Sequence, residues 1–513
     1  MYRLAFAVLA GSVLCAEPAI RIGSRRELLV DEHLIDRFSG RAELRLHQPE
    51  RRDLALVTDN PWEGNACAYR TIFRDGDKVR MFYTGNHYDL SVKGMKAHPP
   101  VICYAESADG IRWTKPDLNL VPYQGSTKNN IVLAEDTIKP PGLDKLGVDH
   151  FAVFKDRNPR CRPGEEYKML VLGNRNLYAL GSADGFRWKL LSDKPVLTKA
   201  YFDSKNLAFW DTEAGTYRAY MRDFRNTVTG AQRSQQARED AGYRYVRDIM
   251  TATSGDFINW SEPQWLKYPG SPDEELYTNQ IEPYYRAPHL LIGFPKRYQD
   301  RGWSEAMRLL PNLEHREARS AVAPRYGTAV TDALFMSSRD GLVFKRWGEA
   351  FIRPGPLSNN WVYGDNDPAW GVIETPSHIA TAPPELSIYA VENYWRGNAM
   401  SLRRFALRID GFVSVNAPLS GGEFVTKPLI FEGSRLEINF STSAAGSIRW
   451  EIQDDGGRPV PGFSLAENPE VFGDAIDYAV PLRSGAQLSS VAGRPVRLRF
   501  VLRDADLYSF RFQ

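Results

Sequence analysis

The chain has 513 residues, 43% of them hydrophobic and 25% charged, a length that favours two domains over a single core. Its 65 basic and 63 acidic residues are dispersed rather than blocked and leave a net charge of +2, which excludes the basic stripe of a nucleic-acid binder. The 12% aromatic content, with 12 Trp and 24 Tyr, suits packed β-structure and the faces of sugar rings alike.

Residues 1–16 read as a signal peptide: Arg3 supplies the positive start, Leu4 to Leu14 the short apolar run, and Ala16 a cleavage point. The expected location is therefore secreted or periplasmic. No other stretch reaches the length of a membrane span. Without Cys15, the cysteines Cys67, Cys103 and Cys161 are odd in number and widely spaced, with no C-x-x-C pair. That pattern predicts neither a disulfide framework nor a zinc site, and no metal or cofactor is expected.

A repeated phrase sets the architecture. Ser107-Ala-Asp109-Gly110-Ile-Arg-Trp113 recurs as Ser182-Ala-Asp184-Gly185-Phe-Arg-Trp188, as Ser254-Gly-Asp256-Phe-Ile-Asn-Trp260 and as Ser338-Arg-Asp340-Gly341-Leu-Val-Phe344, with a worn copy at Asp410-Gly411-Phe412. Intervals of about 75, 72, 84 and 70 residues are those of a propeller or an array. Asp and Gly together favour a tight turn, so these aspartates are expected to be structural. Upstream of each turn lie two apolar runs, such as Tyr69–Asp75 with Val79–Thr84 and Asn206–Asp211 with Tyr217–Met221. Five such sets predict an all-β chain with a five-bladed β-propeller over residues 27–420, and residues 27 to 35 supply the strand that closes the ring. From residue 421 to 513 the repeat is absent, and alternating runs such as Leu436–Phe440 and Val496–Leu502 predict a β-sandwich.

In such a propeller the starts of the innermost strands and the ends of the second strands meet at one mouth of the channel. Glu63, Asp149, Asp203 and Glu392 are the candidate catalytic groups there. Crowded carboxylates repel, so one keeps its proton beside an ionised neighbour, as glycosidic hydrolysis requires. Glu63 and Asp203 are the expected working pair, with Asp149 or Glu392 setting their protonation. Trp62, Asn65, His150, Asn206, Asn279, Lys296, Arg297, Asn366 and Trp395 are the candidate substrate-binding residues.

The phrases Trp62-Glu63-Gly64, Phe202-Asp203-Ser204-Lys-Asn206-Leu-Ala-Phe-Trp210, Leu276-Tyr-Thr-Asn279 and Arg286-Ala-Pro-His289 resemble a group of secreted bacterial proteins similar to the N-terminal domain of glycoside hydrolase family 32, near the family 32/43 furanosidase superfamily. The resemblance implies a propeller with three acidic residues on inner strands: a base or nucleophile, an orienting aspartate and a general acid. The chain lacks the W-M-N-D-P-N-G, R-D-P and E-C signatures of that superfamily, and Asp149-His150 stands where R-D would be. The expected activity is exo-acting hydrolysis of a carbohydrate. A noncatalytic sugar-binding propeller, a sialidase-like hydrolase and a phosphorylase are the alternatives.

Overall fold

A computed structural model describes residues 18–91, 95–227, 245–482, 485 and 487–513. The expected signal peptide therefore lies outside the described residues. Nearly all regular structure is β, and no helix among the described residues is long and apolar enough to cross a membrane.

The repeated phrase folds the same way each time. Asp109 Oδ1 accepts from the backbone N–H groups of Ile111 and Arg112, both at 2.8 Å, while Ser107 Oγ accepts from Gly110 N at 2.8 Å. Trp113 Nε1 then donates to Gly110 O at 3.0 Å and folds its ring over the turn. The carboxylate pattern repeats around Asp184, Asp256 and Asp340, and the indole bond at Trp188 and Trp260, where the fourth copy has Phe344. Gly110, Gly185 and Gly341 have φ of +77°, +81° and +76°, a conformation that disfavours a side chain. A second cause is close approach: a Cβ on Gly110 would lie 2.6 Å from Ile373 Cδ1. Replacing Asp109, Asp184 or Asp340 with Ala is expected to cost about 0.5–2 kcal/mol each, the scale of a lost capping bond. Chemical denaturation checks this, and catalysis per folded molecule is expected to persist.

The strands between these turns form five antiparallel four-stranded sheets. The first holds Arg70–Asp75, Lys78–Gly85, Val101–Ser107 and Ile131–Ala134, and the second holds Gly147–Lys155, Tyr167–Gly173, Asn176–Ser182 and Lys189–Leu190. The third holds Leu207–Asp211, Thr216–Asn226, Tyr245–Ser254 and Gln264–Trp265, and the fourth holds Glu282–Tyr284, Ala287–Gly293, Met336–Ser338 and Lys345–Arg346. The fifth holds Ile373–Thr375, Glu385–Glu392 and Ser401–Arg408, with Glu50–Val57 as its last strand. The closing strand is thus Glu50–Val57 and not residues 27–35. Glu27–Leu28 instead pairs with Arg497–Phe512 of the C-terminal part.

Each sheet docks on the turn of the next. Arg80 donates to Asp184 O at 2.7 Å, and Phe154 packs on Phe257 with ring centres 5.6 Å apart. Tyr220 donates to Gly341 O at 2.9 Å and Tyr284 to Asp410 at 2.7 Å. Tyr389 of the fifth sheet donates to Gly110 O of the first at 2.5 Å, so the sequence of contacts closes on itself.

The fourth set carries an insertion that the repeat did not foretell. Between Gly293 and Met336, Lys296–Asp300 and Ala329–Ala333 pair with each other, the first of them also with Glu275–Leu276, and three short helices, Glu305–Leu309, Leu313–Val322 and Pro324–Thr328, fill the bend. Ser304 caps the first through Met307 N at 3.2 Å, and Pro324 starts the third where its missing N–H is harmless.

Two compact units result. One is Leu46–Phe412; the other joins the residues up to Arg45 with Val413–Gln513. Residues 27–45 and 413–420, expected with the first domain, therefore belong with the C-terminal residues. That unit is built on Leu436–Gln453 and Arg497–Phe512, long paired strands whose register shifts between Thr442 and Ser447. Trp450, Phe500 and Phe510 lie in its core.

Candidate active site

Within Leu46–Phe412, the starts of the first strands of all five sheets meet at a cavity of about 240 Å³. They bring Tyr69, Asp149 with His150, Asp203, Tyr277 and Tyr363. Tyr394 and Trp395 follow the second strand of the fifth sheet, and the insertion adds Arg325 and Tyr326. Asp149 and His150 can face inward because the ladder between the first two strands of the second sheet is interrupted from Gly147 to Ala152.

The charged centre is a row of three groups. His150 Nδ1 meets Asp149 Oδ1 at 2.8 Å, and Nε2 meets Asp203 Oδ1 at 3.0 Å. Lys96 Nζ holds the other oxygen of Asp149 at 2.9 Å, and Arg222 stands 3.4 Å from Asp203 Oδ2. Burial alone would depress the imidazole, but the two carboxylates outweigh it and push His150 up to about 10. In return, the imidazolium and the neighbouring cations hold both aspartates well below the ordinary carboxylate range, against a burial that works the other way. All three groups are therefore charged at neutral pH. The Asp203 side chain is 52% exposed against 16% for Asp149 and 15% for His150, so Asp203 is the member most open to a ligand.

The walls are aromatic. Tyr363 and Tyr277 hydroxyls lie 3.1 Å apart, and Tyr88 and Tyr326 each pack edge-on against Trp395 with ring centres 5.2 Å away. Burial raises the phenols of Tyr69, Tyr363 and Tyr394 above their usual range, which keeps them neutral hydrogen-bonding groups.

Of the residues expected at the mouth, Asp149, His150, Asp203, Lys296 and Trp395 line this cavity. Glu63 does not: it is fully buried, accepting from Tyr83 Oη, from Asn60 N at 2.9 Å and from Lys115 at 2.7 Å. Glu392 is likewise taken up by Arg51 and by Arg403, whose Nε stands 2.8 Å from each of its oxygens. Arg297 pairs with Asp332 and Glu274 outside the cavity. Asn206 and Asn366 spend their amides on backbone carbonyls, and Asn279 Oδ1 accepts from Ile281 N at 3.4 Å. Asn65 has an indirect part: its amide donates to Tyr88 O and Gly397 O, and its own main-chain carbonyl accepts from Trp395 N. Trp62 lies in a different, more open groove of about 420 Å³ with Trp113 and Lys115. Lys96, Tyr69, Tyr326 and Arg325 were not foreseen. Tyr69 stands at a strand start where the repeat already looked; Arg325 and Tyr326 come from the inserted helix Pro324–Thr328 and Lys96 from a loop, neither of which carries a motif.

Behind the cavity, burial pushes Asp365 up to about 8, although Tyr394 N donates to it at 2.8 Å. A carboxyl that takes up a proton on folding makes stability fall as pH rises from its unfolded value near 4 to about 8. Asp365→Asn is expected to flatten the melting temperature across that interval and to leave it unchanged below pH 4. Thermal melts at half-unit pH steps read this directly.

No protein-family model and no curated protein matches the chain. Several solved structures are similar in fold. A family 32 β-fructofuranosidase from Bombyx mori is 12% identical, with 91% of this chain and 94% of that one covered at a TM-score of 0.37. An endo-arabinase from Bacteroides thetaiotaomicron is 10% identical, with 68% and 96% covered at 0.36. An N-acetylgalactosamine deacetylase from F. plautii is 10% identical, with 71% and 95% covered at 0.41. Similarity this distant says nothing of reaction or substrate, which are read from the cavity itself.

Proposed function

We propose that the protein is a secreted glycoside hydrolase that removes a terminal sugar at the Asp149–His150–Asp203 row, on a five-bladed β-propeller followed by a β-sandwich. The observation that carries this reading is a half-exposed carboxylate, Asp203, paired with His150 at 3.0 Å in a cavity walled by tyrosines and a tryptophan. The closed sequence of five sheets supports the propeller, and the apolar run Leu4–Leu14 supports export. At about 240 Å³ the cavity is smaller than the roughly 300–1,000 Å³ of common ligand pockets, which suits one ring at a chain end.

The chemistry follows from where the proton sits. Asp203 meets the leaving oxygen and passes it the proton that His150 Nε2 holds; the imidazole is then left neutral. Once the imidazole is neutral, Asp149 is no longer held down by its charge and draws a proton from water as that water attacks the anomeric carbon. Direct attack by water, with no sugar–protein intermediate, inverts the anomeric centre. The test is release of monosaccharide from a panel of plant, algal and host glycans, with the anomer followed by NMR. Inverted product supports the reading and retained product removes Asp149 from its role. A protein that binds sugars in this cavity but cleaves none is the noncatalytic alternative.

A further inference from the structure

The cations around the cavity are not alike. Lys96 has Asp149 at 2.9 Å, Arg222 has Asp203 at 3.4 Å, and Lys296 has Asp367 at 3.2 Å. His150 stands between two carboxylates. Arg325 has no carboxylate partner among the described residues: one nitrogen donates to Tyr326 Oη at 3.3 Å, and Nη1 is buried without a hydrogen-bond partner. Its guanidinium lies over the rings of Tyr326 at 4.5 Å and Tyr363 at 5.8 Å. Stacking on those faces offsets only part of the cost of withdrawing a cation from water.

Nor is Arg325 free to swing out to solvent cheaply. The short helix Pro324–Thr328 that carries it is pressed on Leu313–Val322, where a Cβ on Gly327 would lie 2.2 Å from Arg316 O. Thr328 Oγ1 ties its far end to Asp300 at 2.7 Å. The guanidinium is thus held at the cavity wall with Nη1 unspent. Among the described residues, Lys96, His150, Arg222 and Lys296 each face a carboxylate and Arg325 does not.

We infer that the sugar taken at this site is acidic, and that its anionic oxygens, a ring carboxylate in the first instance, are received by Arg325. A planar guanidinium donates two parallel N–H bonds to a carboxylate, and neighbouring tyrosine hydroxyls line the same cavity to meet the rest of the ring. The inference rests on the hydrolase reading for the place of the substrate and not for the reaction.

The experiment uses oligosaccharides ending in a uronic acid, the same oligosaccharides after reduction of that carboxyl to a neutral alcohol, and neutral chains bearing a 6-sulfate. Turnover is measured for the wild type, Arg325→Lys and Arg325→Gln. Binding of the same three sets to Asp203→Asn, and to that variant combined with Arg325→Gln, is measured by calorimetry. The wild type is expected to favour the uronic acid over its reduced counterpart by about 10- to 100-fold, the scale of a charge-assisted pair. Arg325→Gln is expected to bring the ratio near one, with Arg325→Lys between. Preference for the sulfate over the uronic acid keeps the anion and moves its source to a sulfated sugar. Equal handling of acidic and reduced chains by the wild type overturns the inference and leaves the hydrolase reading standing. Binding of acidic chains that depends on Arg325, with no chain cleaved by the wild type, does the reverse. Absence of binding to any acidic chain overturns the inference whatever the fate of Arg325→Gln in folding.

Discussion

Asp203→Asn is expected to cut turnover by about 10²–10⁴-fold, the range of a lost general acid, while the melting temperature stays near that of the wild type. The amide keeps the shape of the side chain and can still meet Arg222 and His150, but it cannot carry a proton to the leaving oxygen. His150 loses a charged partner in the exchange. With one carboxylate gone, His150 is expected to titrate below the value of about 10 that it holds now, because burial is then opposed by Asp149 alone. Proton NMR of the imidazole therefore offers a second reading of the same variant. Unchanged turnover with an unchanged imidazole would remove the row from the chemistry altogether.

Gly371→Ala is expected to destabilise the unit Leu46–Phe412 by about 3–5 kcal/mol, as the sum of left-handed strain and two weakened backbone bonds. Gly371 has φ of +120°, and a Cβ there would lie 1.8 Å from Ile72 O. The obstacle is a main-chain carbonyl, so no rotamer change relieves it. Ile72 and Trp370 are the partners that join the first sheet to the segment before the fifth, with Ile72 N donating to Trp370 O at 2.7 Å and Trp370 N to Arg70 O at 2.8 Å. Moving the carbonyl strains both. Urea unfolding of the full chain measures the loss, and a change under 1 kcal/mol would mean that the junction relaxes freely.

Much of the architecture was legible because it repeats. Ser, Asp, Gly and an aromatic at fixed offsets make one turn, and each turn announces a sheet even where Phe257 with φ of +69° replaces the glycine. The insertion and the closing strand were not legible for the same reason: neither belongs to the repeat. Glu50–Val57 reads as ERRDLALV, with four charges at its start, and only pairing with Ser401–Arg408 identifies it as a strand. For the site, position along a strand was informative and residue type was not. Asp203 and Glu63 both stand before a first strand, but Lys115 and Tyr83 reach Glu63 from elsewhere in the first sheet. Whether a carboxylate is spoken for depends on such distant partners, which no local pattern encodes.

The pairing of Glu50–Val57 with Ser401–Arg408 also bears on how the protein comes into being. The segment that completes the fifth sheet leaves the ribosome first, and its partner follows some 350 residues later. At about 5–20 residues per second, that wait lasts on the order of half a minute. Through it the early segment has no partner, and afterwards Ser401–Arg408 presents an open edge until the two meet. The charges of Glu50, Arg51, Arg52 and Asp53 keep the waiting segment soluble and unattractive to other edges. A nascent chain stalled short of residue 400 would therefore hold four finished sheets and no ring, a state open to capture by a second molecule through the unfilled place.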